Sequence, residues 1–290
     1  MTFLQSPRVF WMHYIAGFND SLSSASFTIN GRIGDLAEAA TDQLRAATPV
    51  GRAGTLPFFD GTPLEDMRPF VHPTLPNFTN EILGRNTHAW LHARQHGILY
   101  QRATDPHPML NVYGMPDDLL EFEDEEGQLW LVLIDYKSTS SSKWTEKVGN
   151  WFDVRKDEYH RAYMAQLEFY AWMLERIIAR DGLPHRMYPV GYHVAFNAGH
   201  GGQTAFTGSN LSLNIESAVI SHEMDWTWIE PTLDLAIECL LDSNVPPKQP
   251  LPNPPNARTG APSASMRYHD FDVMDSRYTW MQTNHPGSWP

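Results

Sequence analysis

Two aspartates and a lysine are spaced so that their side chains can meet at one point. Asp135 and Lys137 are two residues apart at the end of the apolar run 129–134, so on a strand both side chains lie on one face. Asp117 precedes Asp135 by 18 residues, a spacing that returns the chain to the neighbouring strand after one hairpin. Converging carboxylates repel each other unless a cation lies between them, and Mg²⁺ typically takes one or two protein carboxylates plus waters and a substrate phosphate. The pattern predicts a metal site in which Lys137 orients or helps to deprotonate an attacking water.

A further pair of residues extends this pattern into the next helix. Gln166 and Tyr170 are one turn apart on one helix face, and Gln166 follows Lys137 by 29 residues. The complete series, in chain order, is Gly114, Asp117, Asp135, Tyr136, Lys137, Gln166 and Tyr170. This series resembles the motifs of the PD-(D/E)XK nuclease superfamily, specifically its RecB-like branch, which includes the CRISPR-adaptation exonucleases.

The resemblance, which covers roughly residues 110–245, implies a role for each motif residue. Asp117 and Asp135 correspond to Mg²⁺ or Mn²⁺ ligands, the Tyr136 carbonyl to a backbone ligand, and Lys137 to the catalytic lysine. The helix pair formed by Gln166 and Tyr170 corresponds to the motif that borders the DNA path. The implied activity is hydrolysis of phosphodiester bonds in single- or double-stranded DNA by a Mg²⁺-activated water.

The sequence departs from this family at two places. RecB-like members often carry a histidine ligand on an upstream helix, and His88 approximates that pattern, but an alternative alignment puts the corresponding helix at 30–44, where Gly34-Asp35 replaces the histidine. Many relatives also end in a cysteine cluster, whereas Cys239 is the one cysteine of this chain, so we expect no iron–sulfur cluster. A separate interpretation, a zinc site formed by histidines at four-residue spacing over 88–96, lacks the glutamate that a zinc protease needs after His88.

Hydrophobic periodicity predicts the elements that must position these residues. We expect helices over 5–18, 30–47, 80–97, 155–179 and 226–241, and strands over 109–113, 118–122, 128–136, 188–197 and near 211–216. The order predicts an α/β fold in which a three-stranded meander, a long helix and a further strand form a mixed sheet, and the resemblance implies that this is a PD-(D/E)XK restriction-endonuclease-like core. The continuous apolar run 129–134 predicts a central strand covered on both faces.

Three regions follow from this element order. We expect residues 1–108 to form an N-terminal helical region packed on the core, and residues 109–245 to form the core, which the resemblance implies is a nuclease core. Residues 246–290 begin with a proline-dense stretch that supports neither a helix nor a central strand, which predicts an extended C-terminal arm. The aromatic residues of this arm favour packing on the body or on a protein partner.

Charge and composition limit how the chain can meet nucleic acid. The chain has 290 residues, 21 basic and 34 acidic, for a formal net charge of −13, which excludes bulk electrostatic coating of DNA. Residues 114–135 contain 8 acidic and no basic side chains, whereas residues 137–161 contain 6 basic and 4 acidic ones. The acidity therefore falls partly in the predicted metal hairpin, and a mildly positive segment follows it. The alternative function is a catalytically silent nucleic-acid-binding or assembly module with the same fold.

The cysteine content and the hydropathy pattern bear on location. A single cysteine excludes an internal disulfide and fits a reducing compartment. The N-terminal stretch carries Arg8 and His13 within its apolar run, which is not typical of a signal peptide, and no window reaches 18 uninterrupted apolar residues. We therefore expect a cytoplasmic protein without a membrane partner.

Overall fold

The computed structural model describes residues 7–15, 28–71, 78–80, 85–87, 98–102, 110–114, 116–139, 158–197, 205–207, 210–212, 215–242 and 244. The chain divides into two compact units, one formed by Phe27–Trp226 and the other by Met1–Ser26 with Thr227–Pro290. None of the helices in these ranges combines the length and the apolar character needed to cross a lipid bilayer.

The larger unit is a mixed α/β structure. Among the described residues, its helices are α2 (Thr28–Ala46) and α3 (Glu158–Asp181), with a short 3₁₀ turn at Ala53–Thr55. Its strands are β1 (Arg68–Pro69), β2 (Phe78–Asn80), β3 (Arg85–Thr87), β4 (Ile98–Arg102), β5 (Leu110–Gly114), β6 (Asp118–Glu123), β7 (Leu129–Thr139), β8 (Arg186–Met187), β9 (Val190–Asn197), β10 (Ala205–Thr207), β11 (Asn210–Ser212) and β12 (Glu216–Glu223).

Six of these strands form one mixed sheet in the order β1-β6-β7-β9-β12, with β8 also paired to β7. The β1/β6, β6/β7 and β9/β12 pairs are antiparallel, and β7 is parallel to both β8 and β9. A parallel neighbour requires a crossover connection, and α3 lies in the chain between β7 and β9. The predicted α/β class and mixed sheet are confirmed.

The β6–β7 hairpin is closed by the predicted turn. Gly127 has φ 81°, a left-handed conformation that glycine adopts without a Cβ clash. The side chain of Asp124 holds both ends of the turn, because its Oδ1 accepts from the Gln128 amide at 2.7 Å and its Oδ2 from Trp130 Nε1 at 2.7 Å. This local chemistry fixes the register in which Asp118 pairs with Ile134.

Strand β7 lies at the centre of the sheet and is covered on both faces, as predicted. Residues 131–134 are fully buried. Val132, Ile134 and Tyr136 join the hydrophobic cluster that includes Ile33 and Ala37 of α2. The alternate side chains of β7 face the other way, where α3 lies against β7 and β8. Asp135 and Lys137 therefore lie on the α3 face of the sheet.

The predicted three-stranded meander is wrong. Strand β5 pairs with β4 in a separate two-stranded sheet, and the antiparallel neighbours of β6 are β7 and the short edge strand β1. Gly114 at the end of β5 packs against α3, where an added Cβ would lie 2.7 Å from Cε1 of Tyr170. The partner of β5 comes from upstream in the chain, and hydrophobic pattern alone does not report such a pairing.

Two further element predictions need correction. The predicted helix over 80–97 is wrong at its start, because β2 and β3 form an antiparallel hairpin whose Phe78, Thr79 and Thr87 are residue types that favour strands. The strand predicted near 211–216 divides between β11, which pairs with β10, and β12, which pairs with β9 along its whole length.

The smaller unit contains α1 (Pro7–Tyr14) and α4 (Ile229–Leu241), both predicted. These helices pack together through Trp11, which is buried and donates from Nε1 to the Asp242 carbonyl at 2.8 Å. The Cys239 thiol lies 3.6 Å from the Pro7 carbonyl.

Candidate active site

The end of the β6–β7 ladder brings the two predicted aspartates together. Asp118 pairs with Ile134, so the next residues along, Asp117 and Asp135, lie side by side. The Tyr136 amide donates to Oδ2 of Asp117 at 2.8 Å, which ties the residue before β6 to β7. The predicted return of the chain after 18 residues is present in the structure.

Lys137 forms an ion pair with Asp135 on the same face of β7. Its Nζ lies 2.7 Å from Oδ1 and 2.6 Å from Oδ2 of Asp135. The Asp135 side chain is 1% exposed and that of Lys137 is 16% exposed, so water screens the pair little. The ammonium also lies 4.7 Å from the ring centroid of Tyr163 on α3, within the range of a cation–π contact.

The pKa shifts of the ion pair follow from this arrangement. Burial would raise the pKa of Asp135, but the charge of Lys137 and the bond from His193 outweigh burial and lower it. Burial likewise opposes the charged form of Lys137, while Asp135 and Asp117 outweigh it and raise the pKa of the ammonium. Both groups are therefore charged at neutral pH.

Asp117 has the opposite shift. Burial raises its pKa well above the ordinary value, the charge of Asp135 raises it further, and Glu38 adds to the effect. Lys137 and the bond from the Tyr136 amide lower it, but they do not offset the increase. Burial and the neighbouring negative charges therefore disfavour the ionised form of Asp117, and a cation held there would favour it.

Glu38 is a site residue that the sequence reasoning missed. It lies on α2, the helix that the alternative alignment over 30–44 placed upstream of the sheet, one turn beyond Gly34. Its charge contributes to the raised pKa of Asp117, so Glu38 lies within electrostatic reach of that carboxyl group. The available signal was an acidic residue beside the buried positions Ala37 and Thr41 of this helix.

His193 is the second missed residue. Its ring is fully buried on β9 directly opposite Asp135, and Nδ1 lies 2.8 Å from Oδ2 of Asp135. Burial lowers the pKa of His193, which favours the neutral ring with Nδ1–H as the donor to the carboxylate. A histidine at an inward position of the apolar strand Val190–Asn197 was the signal that could have identified it.

Tyr136 presents its backbone, not its side chain, to Asp117. In an extended strand the N–H and the carbonyl of one residue point to the same side, so the Tyr136 carbonyl lies on the Asp117 side of β7. Its phenol lies on the α2 face, 2.9 Å from Oγ1 of Thr41, and donates to Oδ2 of Asp118 at 3.1 Å. This placement is compatible with the expected backbone ligand.

A buried ionic network fixes the strands from the α2 face. Arg45 of α2 pairs with Asp118 and Asp42, and its Nε donates to the Phe70 carbonyl at 2.9 Å. Asp118 also accepts from the Leu119 amide at 2.8 Å. Alternation along the strand points the Asp118 side chain away from that of Asp117, and its bonds join α2 to the start of β6.

Gln166 and Tyr170 form a bonded pair on α3. Gln166 Nε2 donates to the Tyr170 hydroxyl at 2.7 Å, and Tyr170 is 8% exposed against Gly114. Tyr163, whose ring lies beneath Lys137, is one turn before Gln166 on the same helix. The structure therefore places the helix motif one turn from the ring that contacts Lys137.

The oxygen atoms at the end of the β6–β7 ladder are suitable ligands for a hard divalent cation. Aspartate oxygens and a backbone carbonyl are the ligands that Mg²⁺ takes, and one or two carboxylates suffice when waters complete the octahedron. Within the described ranges, no three histidine, cysteine or acidic side chains are grouped closely enough to hold a metal ion. Both oxygens of Asp135 are bonded to Lys137 or His193, so an ion would use their remaining lone pairs. The Asp117 carboxylate, whose ionised form a cation would stabilise, and the Tyr136 carbonyl fit such an ion.

Several predicted features lie outside the described residues. These are His88 and the other two histidines of 88–96, most of the basic segment 137–161, and the arm over 246–290. Comparison with known proteins adds no relative, since no family model matches the chain and searches of curated proteins and of solved structures find no match.

Proposed function

We propose that this chain is a metal-dependent nuclease with a PD-(D/E)XK-type core that hydrolyses DNA phosphodiester bonds in the cytoplasm. The observation that supports the proposal is the meeting of Asp117, Asp135 and Lys137 at the end of the β6–β7 ladder. Two carboxylates and an ammonium at one point match the needs of phosphodiester hydrolysis, in which negative charge develops on the phosphate oxygens.

Each residue has a defined part in this proposal. Asp117, Asp135 and the Tyr136 carbonyl would hold Mg²⁺ or Mn²⁺, which when bound supplies Lewis-acid stabilisation of the phosphate and acidifies the attacking water. The Lys137 ammonium orients that water and offsets charge on the scissile phosphate. Tyr163 and Asp135 hold the lysine from two sides, which limits the orientations available to its Nζ atom.

The charge distribution predicts how DNA is retained. With a net charge of −13, the chain releases few counterions from DNA, so non-specific affinity without a divalent cation is weak. We expect binding to depend on the metal, because Asp117 and Asp135 would hold a cation that offsets their repulsion of phosphate oxygens.

One observation favours the alternative of a silent binding module. Asp135 is already bonded by Lys137 and His193, an arrangement that satisfies the carboxylate without any metal. A module of that kind would retain DNA equally well in EDTA and would cleave none, whereas the nuclease requires the cation for both properties.

The test is cleavage of end-labelled linear duplex, single-stranded and circular DNA with Mg²⁺, Mn²⁺ or EDTA. Asp117→Asn is the informative variant, because asparagine keeps an acceptor for the Tyr136 amide while removing the charge. Asp60→Asn is the matched control, since Asp60 is exposed. We expect metal-dependent cleavage by the wild type and by Asp60→Asn, and none by Asp117→Asn. Full activity of Asp117→Asn would overturn the proposal.

A further inference from the structure

His193 of β9 occupies a buried position where an apolar side chain would have a lower free-energy cost of burial. His193 is fully buried, and its neighbours in the strand, Val194 and Ala195, are fully buried as well. Burial of a polar ring in such surroundings is unfavourable unless the ring is hydrogen-bonded. The ring is hydrogen-bonded to the Asp135 carboxylate, with Nδ1 2.8 Å from Oδ2.

The geometry of this bond is set by the sheet. Asp135 and His193 are register partners in the parallel β7/β9 pair, so their side chains leave neighbouring strands on the same face. Lys137 reaches the same carboxylate from two residues along β7, with Nζ 2.7 Å from Oδ1. Asp135 therefore has one donor on its own strand and one on the neighbouring strand. The lysine has a long flexible side chain, whereas the histidine ring is rigid and fully enclosed.

We infer that His193 is a positioning residue, which fixes the carboxylate of Asp135 in the orientation needed for metal binding through the Nδ1–H···Oδ2 bond. This inference rests on the proposed function. Carboxylates that ligate metals are commonly oriented by hydrogen bonds from outer residues, and loss of such a bond typically lowers metal affinity or activity by about 10–100-fold. His193 makes no contact with substrate in this role, and acts only through Asp135.

Three substitutions separate the hydrogen bond from the packing of the ring. His193→Asn places an amide N–H at the position of Nδ1 and keeps the donor. His193→Phe keeps a ring of similar size and removes the donor. His193→Gln keeps a donor but moves it one bond farther from the backbone, to the position of Nε2.

A matched control is available at the other end of the sheet. His185 is also buried and also bonds a carboxylate, with Nε2 3.1 Å from Oε2 of Glu121. His185 directly precedes β8, and β8 pairs with Trp130 and Leu131 of β7. Leu131 is four residues, or about 13 Å along the strand, from Asp135. His185→Phe therefore removes a similar bond away from the centre.

The experiment measures Mn²⁺ binding by electron paramagnetic resonance and DNA cleavage as a function of Mn²⁺ concentration, with the melting temperature in EDTA recorded for each variant. We expect His193→Phe and His193→Gln to weaken Mn²⁺ binding by about 10–100-fold, and to raise the Mn²⁺ concentration for half-maximal cleavage in parallel. His193→Asn should retain most of the affinity, and His185→Phe should bind Mn²⁺ as the wild type does.

The outcomes separate this inference from the proposed function. Wild-type Mn²⁺ affinity in a folded His193→Phe protein would overturn the inference alone, and so would an equal loss in His193→Asn and His193→Phe. If His193→Phe does not fold, the comparison of His193→Gln with His193→Asn decides in the same way. A wild-type chain that neither binds Mn²⁺ nor cleaves DNA would overturn the proposed function and this inference with it.

Discussion

Replacement of Lys137 by methionine removes the ammonium that neutralises Asp135 while keeping a long side chain. Because the Asp135 side chain is 1% exposed, its charge then lies in the protein interior without the ammonium that compensated it. Removal of one partner from a buried ion pair typically costs about 3–5 kcal/mol, since the other charge is left uncompensated. At about 2–4 °C per kcal/mol for a unit of this size, we expect the melting temperature in EDTA to fall by roughly 10 °C.

The double variant Asp135→Asn with Lys137→Met tests the reason for that loss. It leaves neither member of the pair charged, and asparagine still offers an acceptor to His193. Replacement of both members of a buried pair is often neutral, so the double variant should recover more than half of the lost free energy of unfolding. Neither Lys137→Met nor the double variant should cleave DNA, although the double variant should be the more stable of the two.

The assay is urea unfolding of the full chain in EDTA at neutral pH, followed by far-ultraviolet circular dichroism. The two single variants and the double variant form a cycle whose coupling energy should be favourable, because the groups are in direct contact. Additive effects of the two single substitutions would refute the reasoning, since they would mean that Lys137 does not compensate Asp135.

Three further predictions follow from the same geometry. Because the pKa of Asp117 is raised, the folded state keeps its proton to higher pH than the unfolded state does, so stability in EDTA should fall as pH rises through that interval. Asp117→Asn should make the melting temperature less dependent on pH over that interval, and an unchanged pH dependence would contradict the prediction. Glu38→Gln should raise the Mn²⁺ concentration for half-maximal cleavage at little cost in stability, which metal titration checks; an unchanged titration curve would remove Glu38 from the centre. Gly114→Ala should destabilise by about 1–3 kcal/mol, because the new Cβ would meet Tyr170. Gly34→Ala, with open space around its Cβ, should instead stabilise by about 0.5–1 kcal/mol in denaturant unfolding.

The parts of the fold that sequence predicted are those with local causes. The apolar run of β7 and its turn at Gly127 determine a hairpin, and the hairpin alone brings Asp117 to Asp135. The amphipathic period of α3 likewise determines that Gln166 and Tyr170 share a helix face.

The parts that sequence missed depend on distant partners. Strand β5 pairs with β4 and not with β6, and β12 extends the sheet beyond β9. The hydrophobic pattern of a strand does not indicate which strand it pairs with. His193 and Glu38 belong to the centre only because β9 lies beside β7 and α2 lies against the sheet.

The buried face of α2 was misread for a related reason. Three- and four-residue spacing predicts an apolar stripe of Ile33, Leu36, Ala40 and Leu44 on this helix. Leu36 is instead 54% exposed, and the buried positions at four-residue spacing are Ile33, Ala37, Thr41 and Arg45. Polar residues belong to that face because Tyr136 and Asp118 supply their hydrogen-bond partners. A pattern based on hydrophobicity does not recognise a buried arginine whose partner is on another element.

The most direct test of the proposed nuclease is a cleavage assay on metal-stripped protein. DNA should remain intact in EDTA and should be cut when excess Mg²⁺ or Mn²⁺ is restored, by the wild type and by Asp60→Asn but not by Asp117→Asn. Intact DNA with both metals, or cleavage by Asp117→Asn at the wild-type rate, would contradict the assignment of Asp117, Asp135 and Lys137 as the reacting centre.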